Sequence, residues 1–125
     1  MEAHSNKAAA AYMASSVENA PPLKIVQLMY GGALRFLSQA QSIDPHADVR
    51  EYHSALNKAD AIVSELRFSL DDSHSKELCQ QLESLYLFVE SQIREAFLSQ
   101  DPAHIEPARE VLARLGSAWN SIEAP

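Results

Sequence analysis

The sequence is poor in the residues on which catalysis and ligand binding most often depend. Its 3 glycines do not form a phosphate-cradling loop. Its single cysteine, Cys79, cannot form an internal disulfide, which fits a reducing compartment. Lys plus Arg number 10 against 17 Asp plus Glu, so the net charge is −7. This balance argues against nucleic acid or an anionic membrane as the partner, because both need a basic protein face.

Long apolar runs are also missing. No uninterrupted apolar stretch approaches the roughly 18 residues needed to span a bilayer, so no membrane insertion is expected. The N-terminal stretch has no basic region leading into an apolar run, so it does not predict a signal peptide. At 125 residues with 46% apolar composition, the chain predicts one soluble, cytoplasmic domain with a modest core.

The histidines, the cysteine and the carboxylates do not form a catalytic pattern. Among the 5 histidines, His46 and His53 could share a helix face, but no cysteine or carboxylate completes a metal set. The Glu-x-x-His motif of di-iron bundles is absent. Cys79 is expected to be a buried structural thiol, and Asp71 and Asp72 are typical of a turn. We therefore predict no enzyme, no metal site and no cofactor.

What the sequence does contain is an arm followed by four helical segments. Residues 1–21 are rich in Ala, Ser and Asn and predict a partly mobile N-terminal arm. Apolar residues spaced alternately by three and four predict an all-α antiparallel four-helix bundle over residues 22–125. The seam positions of the second, third and fourth helices are Val49, Tyr52, Leu56, Ala59, Val63, Leu66 and Leu70; Leu78, Leu82, Leu85, Val89 and Ala96; and Ile105, Ala108, Leu112, Leu115, Trp119 and Ile122.

The boundaries of these helices follow from turn residues. The first helix runs to about Ser42, and Ser73 or Ser75 is the candidate N-cap of the third. The fourth helix has two possible beginnings. It either starts at Pro102 and is strained near Pro107, or its regular part begins at Pro107 after a short turn, which we favour.

The first helix is apolar around most of its circumference, so we expect it to be almost wholly buried. Two glycines inside it each cost about 1 kcal/mol relative to alanine. Gly32 lies off the polar side, where close packing of a neighbour is expected. Gly31 lies on the polar stripe, where packing gives no reason for a glycine. That stripe consists of Lys24, Gln27, Gly31, Arg35, Ser38 and Ser42.

Several apolar residues lie away from the helix seams. Phe68 is expected to face solvent, and Leu87 and Leu98 share the back of the third helix. Such residues along adjacent helices indicate a groove for a partner. For the flank of the third helix, a wide core face covered by the first helix or the arm is the alternative. The candidate partner-binding residues on the helices are Ile62, Phe68, Tyr86, Ile93 and Phe97.

An ordered set of motifs runs through most of the chain. It consists of "AYMASSVENAPP" with Tyr12, Val17, Ala20 and Pro22; "LMYGGALRFLSQA" at 28–40; Glu65 and Leu66; Leu70 and Asp71; "LESLYLF" at 82–88; Asp101 and Pro102; and Leu112, Leu115 and Trp119. This set resembles the FliS family of flagellin-specific export chaperones. Gly31 and Leu87 depart from it where the family commonly has Asp, and Pro107 departs where an acidic residue is usual.

The resemblance implies a chaperone of bacterial flagellum biogenesis and type III secretion. Such proteins bind the disordered C-terminal segment of flagellin in the cytoplasm, which prevents premature polymerisation and keeps the subunit exportable. Recognition would be of the helix-in-groove kind and would need no cofactor. The resemblance also implies export gate components and an anti-sigma factor as further candidate partners. The alternative is a helical-bundle adapter that binds another secretion or regulatory protein.

The arm carries apolar side chains without a helix of its own to pack in. We expect it to fold back over the groove in the free protein, with Tyr12 as the main anchor beside Val17, and to be displaced by flagellin. The resemblance supports this use of the N-terminal segment. The alternative is that Tyr12 packs permanently beside the first helix or is disordered.

Overall fold

The described part of the chain forms four α-helices, as the seam spacing predicted. The computed structural model describes residues 23–73 and 75–122, so the arm lies outside the described residues. The described part contains no strand, which confirms the all-α class. The helices are α1 (Leu23–Gln41), α2 (Val49–Phe68), α3 (Lys76–Ser99) and α4 (Ile105–Asn120), with a 3-10 turn (Pro102–His104) directly before α4.

The helices occupy the corners of a square. α1 packs against α2 and α4, and α3 packs against the same two helices. The Tyr52 hydroxyl near the start of α2 donates to the Ala96 carbonyl near the end of α3, at 2.9 Å. The Gln27 amide of α1 likewise donates to the Trp119 carbonyl at the end of α4, at 3.0 Å. Both pairs join the beginning of one helix to the end of its neighbour, so the predicted antiparallel bundle is confirmed.

The core is built from the predicted seam residues. Leucines and valines such as Leu56, Val63, Leu82 and Leu112 are fully buried between the helices. Alternating spacings of three and four keep such side chains on one face of each helix, which is why this pattern folds as a bundle. Within the described residues, no helix has both the length and the apolar character that crossing a membrane requires.

The helix ends show where local sequence rules hold. Ser75 is the N-cap of α3, because its side chain accepts a hydrogen bond from the Leu78 backbone N–H at 3.3 Å. The prediction that regular helix begins at Pro107 is wrong, since α4 begins at Ile105, directly after the 3-10 turn. Pro107 therefore lies in the first turn of α4. Backbone N–H groups there have no acceptor inside the helix, so the missing N–H of a proline leaves no bond unmade.

The prediction that α1 is almost wholly buried is also wrong. Ile25 is 49% exposed and Leu28 is 62% exposed, because two neighbouring helices leave the outer face of α1 open. The expected close packing at Gly32 is confirmed, since a Cβ at this position would lie 3.3 Å from Ile62 Cδ1. A Cβ at Gly31 would meet nothing within 4 Å, so close packing does not require this glycine.

Candidate partner-binding surface

Besides those of α1, several exposed apolar side chains lie on α3 and at the end of α2. Phe68, the last residue of α2, is 75% exposed, and Leu98 near the end of α3 is 69% exposed. Leu87 and Phe88 are exposed as well, about three turns of α3 earlier than Leu98. The predicted outward positions of Phe68, Leu87 and Leu98 are therefore confirmed. Apolar residues repeated along one face are more typical of a docking surface than isolated ones.

The structure separates the candidate residues into different environments. Ile62 is half-buried and faces α1, where it packs close to Gly32. Ile93 and Phe97 lie one turn apart on α3 and line the same cleft. Tyr12 and Val17 lie outside the described residues. Only Ile93 and Phe97 of the predicted set therefore share one cleft.

The expectation that Tyr86 and Ile93 lie off the core is wrong, because each is only 2% exposed. The Tyr86 and Tyr30 hydroxyl groups are 2.5 Å apart and share a hydrogen bond between α3 and α1. Burial first, and then the neighbouring Tyr86, raise the pKa of Tyr30 well above its ordinary value. A large aromatic side chain can reach the bundle centre from a position beside the seam, as Tyr86 does. The buried face of α3 is therefore wider than its row of seam residues.

A cleft of about 170 Å³ lies between α2 and α3. Its walls combine the apolar Phe97 and Leu98 with polar side chains, and Ile93 is its buried part. The Phe97 ring stacks on the His53 ring of α2, with centroids 3.9 Å apart. The lining residues are Asn57, Asp60, Ile93, Arg94, Phe97 and Leu98.

A charged network lies beside this cleft. Arg67 donates to Glu90 with an Nε–Oε2 distance of 2.5 Å, and the Ser64 hydroxyl donates to Glu90 Oε1 at 2.8 Å. Glu90 is the one charged residue that is buried in the described part of the chain. A buried carboxylate needs such partners, since an unpaired charge in a protein interior is strongly unfavourable.

Asp60 lies next to this network but does not join it. Within the described residues, the Asp60 carboxylate makes neither a hydrogen bond nor an ion pair. Its partial burial, and then the charge of Glu90, raise its pKa above the ordinary value, while Arg94 and Arg67 lower it. The His53 imidazole of the same seam has a buried Nε2 that finds no acceptor or donor in the described residues.

A second groove of about 280 Å³ lies between α1 and α4. It runs past Gly31 and Gly116, and the side chains of Tyr30 and Leu34 form its apolar wall. A Cβ at Gly116 would make ordinary contacts of 3.6 to 3.8 Å with these two side chains. The absence of side chains at two glycines therefore creates this groove.

The residues that sequence reasoning missed are the polar ones of the α2–α3 cleft. Asn57, Asp60 and Arg94 occupy outward helix positions, which predict ordinary solvent contact. The signal that was available is their spacing. Asn57, Asp60 and Ser64 repeat at three and four, so they form a stripe beside the apolar seam of α2, and such a flank faces a neighbouring helix.

The remaining candidate groups do not form a reactive site. Cys79 is half-buried and not fully buried as expected. Burial, and then the carboxylate of Asp72, raise its pKa, so the thiol stays protonated at neutral pH. Over residues 23–73 and 75–122, no three His, Cys, Asp or Glu residues are grouped so that they could hold a metal ion.

Comparison with known proteins identifies the family of the chain. The family described as "Flagellar protein FliS" matches residues 4–125 of the chain. The chain belongs to the FliS family. It is 30% identical over 108 residues to the flagellar secretion chaperone FliS of Vibrio cholerae serotype O1, covering 86% of this chain and 79% of the relative.

Further relatives come from distant bacteria. The flagellar secretion chaperone FliSB of Pseudomonas aeruginosa is 29% identical, with 86% of each chain covered. The FliS chaperone of Bacillus subtilis is 25% identical over 109 residues, which is 87% of this chain and 80% of that relative. The FliS family is thus a family of flagellar secretion chaperones, which is not a class of enzymes.

Proposed function

We propose that this protein binds the C-terminal segment of flagellin in the cytoplasm, prevents its premature polymerisation and keeps it competent for export. Membership in the FliS family supports the chaperone role, because the relatives are flagellar secretion chaperones. The identity of the client follows from the family resemblance.

The observation that carries this proposal is the row of exposed apolar side chains along α3. Leu87 and Leu98 are eleven residues apart and lie on one face, so about 16 Å of helix separates them. An amphipathic client helix of about three turns has this length. Phe68 and the cleft with Ile93 and Phe97 extend the surface towards α2.

The energetics of such a surface suit a client that folds on binding. Each large apolar side chain that becomes covered contributes roughly 1.5–3 kcal/mol. Ordering a disordered client costs about 2–5 kcal/mol, so several contacts must act together. Burial of this kind requires neither a cofactor nor a chemical step.

Two of the candidate residues take a different part in this proposal. Tyr86 and Ile62 pack inside the bundle, so they support the helices that carry the surface. Their direct contact with flagellin stays a prediction. Phe68 and Phe97, together with Leu87 and Leu98, form the proposed client surface, and the buried Ile93 forms the floor of its cleft.

The arm is proposed to cover this surface in the free protein, with Tyr12 and Val17 as its anchors. A displaceable cover competes with the client, so its removal should leave binding equal or up to about tenfold tighter. Deletion of residues 1–18, followed by calorimetric titration, checks this. A loss of affinity beyond tenfold with the fold intact would mean that the arm itself contacts flagellin.

The client is tested by titrating the protein with flagellin and with flagellin that lacks its C-terminal segment. We expect intact flagellin to bind with a clearly negative heat-capacity change. Flagellin that lacks its C-terminal segment should not bind. Equal binding of both forms would place the contact elsewhere on flagellin and overturn the proposal.

The surface is tested by a pair of exposed positions. Phe68→Asp should weaken binding about tenfold or more, since the burial of one aromatic side chain is lost. Its stability should change by less than about 0.5 kcal/mol, as for other exposed positions. Leu28→Asp on α1 is the matched control, because Leu28 is similarly exposed. Equal weakening by both variants would contradict the choice of face.

A further inference from the structure

Asp60 is an acidic group in a cleft whose walls are partly polar and partly apolar. It is half-buried on α2 and lines the same cleft as Phe97 and Leu98 of α3. Within residues 23–73 and 75–122, it makes no hydrogen bond and no ion pair. Carboxylates that lose water contact usually gain such partners.

The neighbouring cations Arg94 and Arg67 lower the pKa of Asp60, but neither forms an ion pair with it. Glu90 accepts hydrogen bonds from both Arg67 and Ser64, so the Arg67 guanidinium is held by the Glu90 carboxylate and not by the Asp60 carboxylate. Arg94 lines the cleft but is exposed and forms no ion pair with Asp60. Partial burial, and then the Glu90 charge, raise the pKa of Asp60 against the opposing effect of Arg94 and Arg67.

A partner that covers Phe97 and Leu98 also covers Asp60. The carboxylate would then lose its remaining water, and an unpaired buried charge is strongly unfavourable. A bound segment must therefore bring a donor to this place. A cation fits better than a neutral donor, because charge-assisted hydrogen bonds are about twice as strong and the whole chain carries a net charge of −7.

We propose that Asp60 is a specificity-determining residue that accepts a hydrogen bond from a Lys or Arg side chain of the client segment. This inference rests on the proposed function, with flagellin as the client. The basic residue lies one helical turn from the apolar side chains that cover Phe97 and Leu98, because neighbours on one helix face are three or four residues apart. A segment with apolar residues alone at this place is rejected.

The first experiment compares Asp60→Asn with the unchanged protein in titrations with a synthetic C-terminal peptide of the flagellin from the same organism. We expect the dissociation constant to rise about tenfold, with a Tm that is equal or slightly higher. Added salt should weaken binding to the unchanged protein more than binding to the variant, because salt screens the ion pair of Asp60 with the peptide and the variant lacks this pair. Glu51→Gln is the matched control, because it removes one negative charge from the opposite side of α2 and should bind as before.

The second experiment locates the basic residue. Each Lys or Arg of the peptide is replaced by Gln in turn, and one replacement should weaken binding to the unchanged protein but not to Asp60→Asn. Replacing that residue by Glu should restore binding to Asp60→Lys.

Equal affinity and equal salt dependence of Asp60→Asn and the unchanged protein would overturn this inference alone. Absence of peptide binding by the unchanged protein would overturn the proposed function together with it.

Discussion

The α1–α4 seam and the α2–α3 seam both carry a groove, but the two grooves arise in different ways. In the α1–α4 seam the groove exists because Gly31 and Gly116 have no side chains. One polar side chain beside it, the Gln27 amide, is engaged with the Trp119 carbonyl. Such a groove offers space and an apolar wall, and the described residues that line it include no charged group that a bound side chain would have to pair.

In the α2–α3 seam the groove is lined by Asp60, which makes no hydrogen bond or ion pair within the described residues. His53 lies beside the groove, where its ring stacks on Phe97 and its Nε2 finds no hydrogen-bond partner among the described residues. A groove of this kind selects its occupant by hydrogen-bonding chemistry as well as by shape. This difference is the reason for placing the proposed specificity-determining residue, Asp60, in the α2–α3 seam.

The largest effect is expected when the buried ion pair of the α2–α3 seam is broken. Glu90→Ala leaves Arg67 without its carboxylate and should lower the free energy of unfolding by about 2 kcal/mol. This is less than for a fully buried pair, because Arg67 reaches water. Urea denaturation at pH 7 measures the change.

The matched variant is Glu106→Ala in the α1–α4 seam, whose pair with Arg109 is exposed. Exposed ion pairs contribute little, so this variant should unfold at nearly the same urea concentration as the unchanged protein. Equal destabilisation by the two variants would contradict the difference between the seams.

The fold could be predicted from the sequence because few alternatives satisfy its pattern. Apolar residues spaced at three and four, interrupted by turn residues, leave a helical bundle as the way to bury them all. Ser75 shows the same at a smaller scale, since its side chain and position both suit an N-cap. Pro107 shows the limit, because a proline is equally acceptable at the first helical position and slightly inside the first turn.

The candidate site could be predicted less well, since exposure depends on the neighbours of each helix. Phe68 was placed correctly because it lies far from its seam. Tyr86 was misplaced because its partner, Tyr30, is 56 residues away in the chain. Asp60 gave only the weak signal of its spacing from Asn57 and Ser64, since an acidic residue at such a helix position is ordinary until the neighbouring helix is known.

A smaller effect is expected when a hydrogen bond across each seam is removed. Tyr52→Phe deletes the hydroxyl that donates to the Ala96 carbonyl across the α2–α3 seam, and should cost about 1 kcal/mol. Gln27→Leu deletes the corresponding bond of the α1–α4 seam, which is only partly buried, and should cost less. The shift in the urea midpoint at constant m-value measures both. A larger loss for Gln27→Leu would mean that the α1–α4 seam is the more tightly bonded one.

Replacing a glycine of the α1–α4 groove by alanine should stabilise the protein. Gly31→Ala adds a methyl group that meets no atom within 4 Å, and alanine favours the helix by up to about 1 kcal/mol. Thermal unfolding should therefore shift upwards by a few degrees. Flagellin binding should not change, because the methyl group lies outside the α2–α3 cleft. A marked loss of binding would show that the α1–α4 groove is a partner surface and would remove the distinction between the two seams.

The smallest effect concerns the pH dependence of stability at Asp60. Its pKa in the folded protein is raised above the ordinary 3.8, chiefly by burial and then by Glu90, against the opposing effect of Arg94 and Arg67. The folded state therefore holds the Asp60 proton to higher pH than the unfolded state does. The stability that this proton provides is fully present below pH 3.8 and is lost as pH rises through the raised pKa.

Asp60→Asn cannot lose this proton, so its stability relative to the unchanged protein should rise over the same pH window. The two proteins should differ least near pH 3.5, and the variant should be the more stable at pH 7 by less than about 1 kcal/mol, because solvent screens a half-exposed carboxylate. Urea denaturation at pH 3.5, 5 and 7 measures the difference, with Glu51→Gln as the control. A variant that is less stable than the unchanged protein at pH 7 would mean that the Asp60 charge is already compensated within the free protein, and the cleft would then make no demand for a cation from its partner.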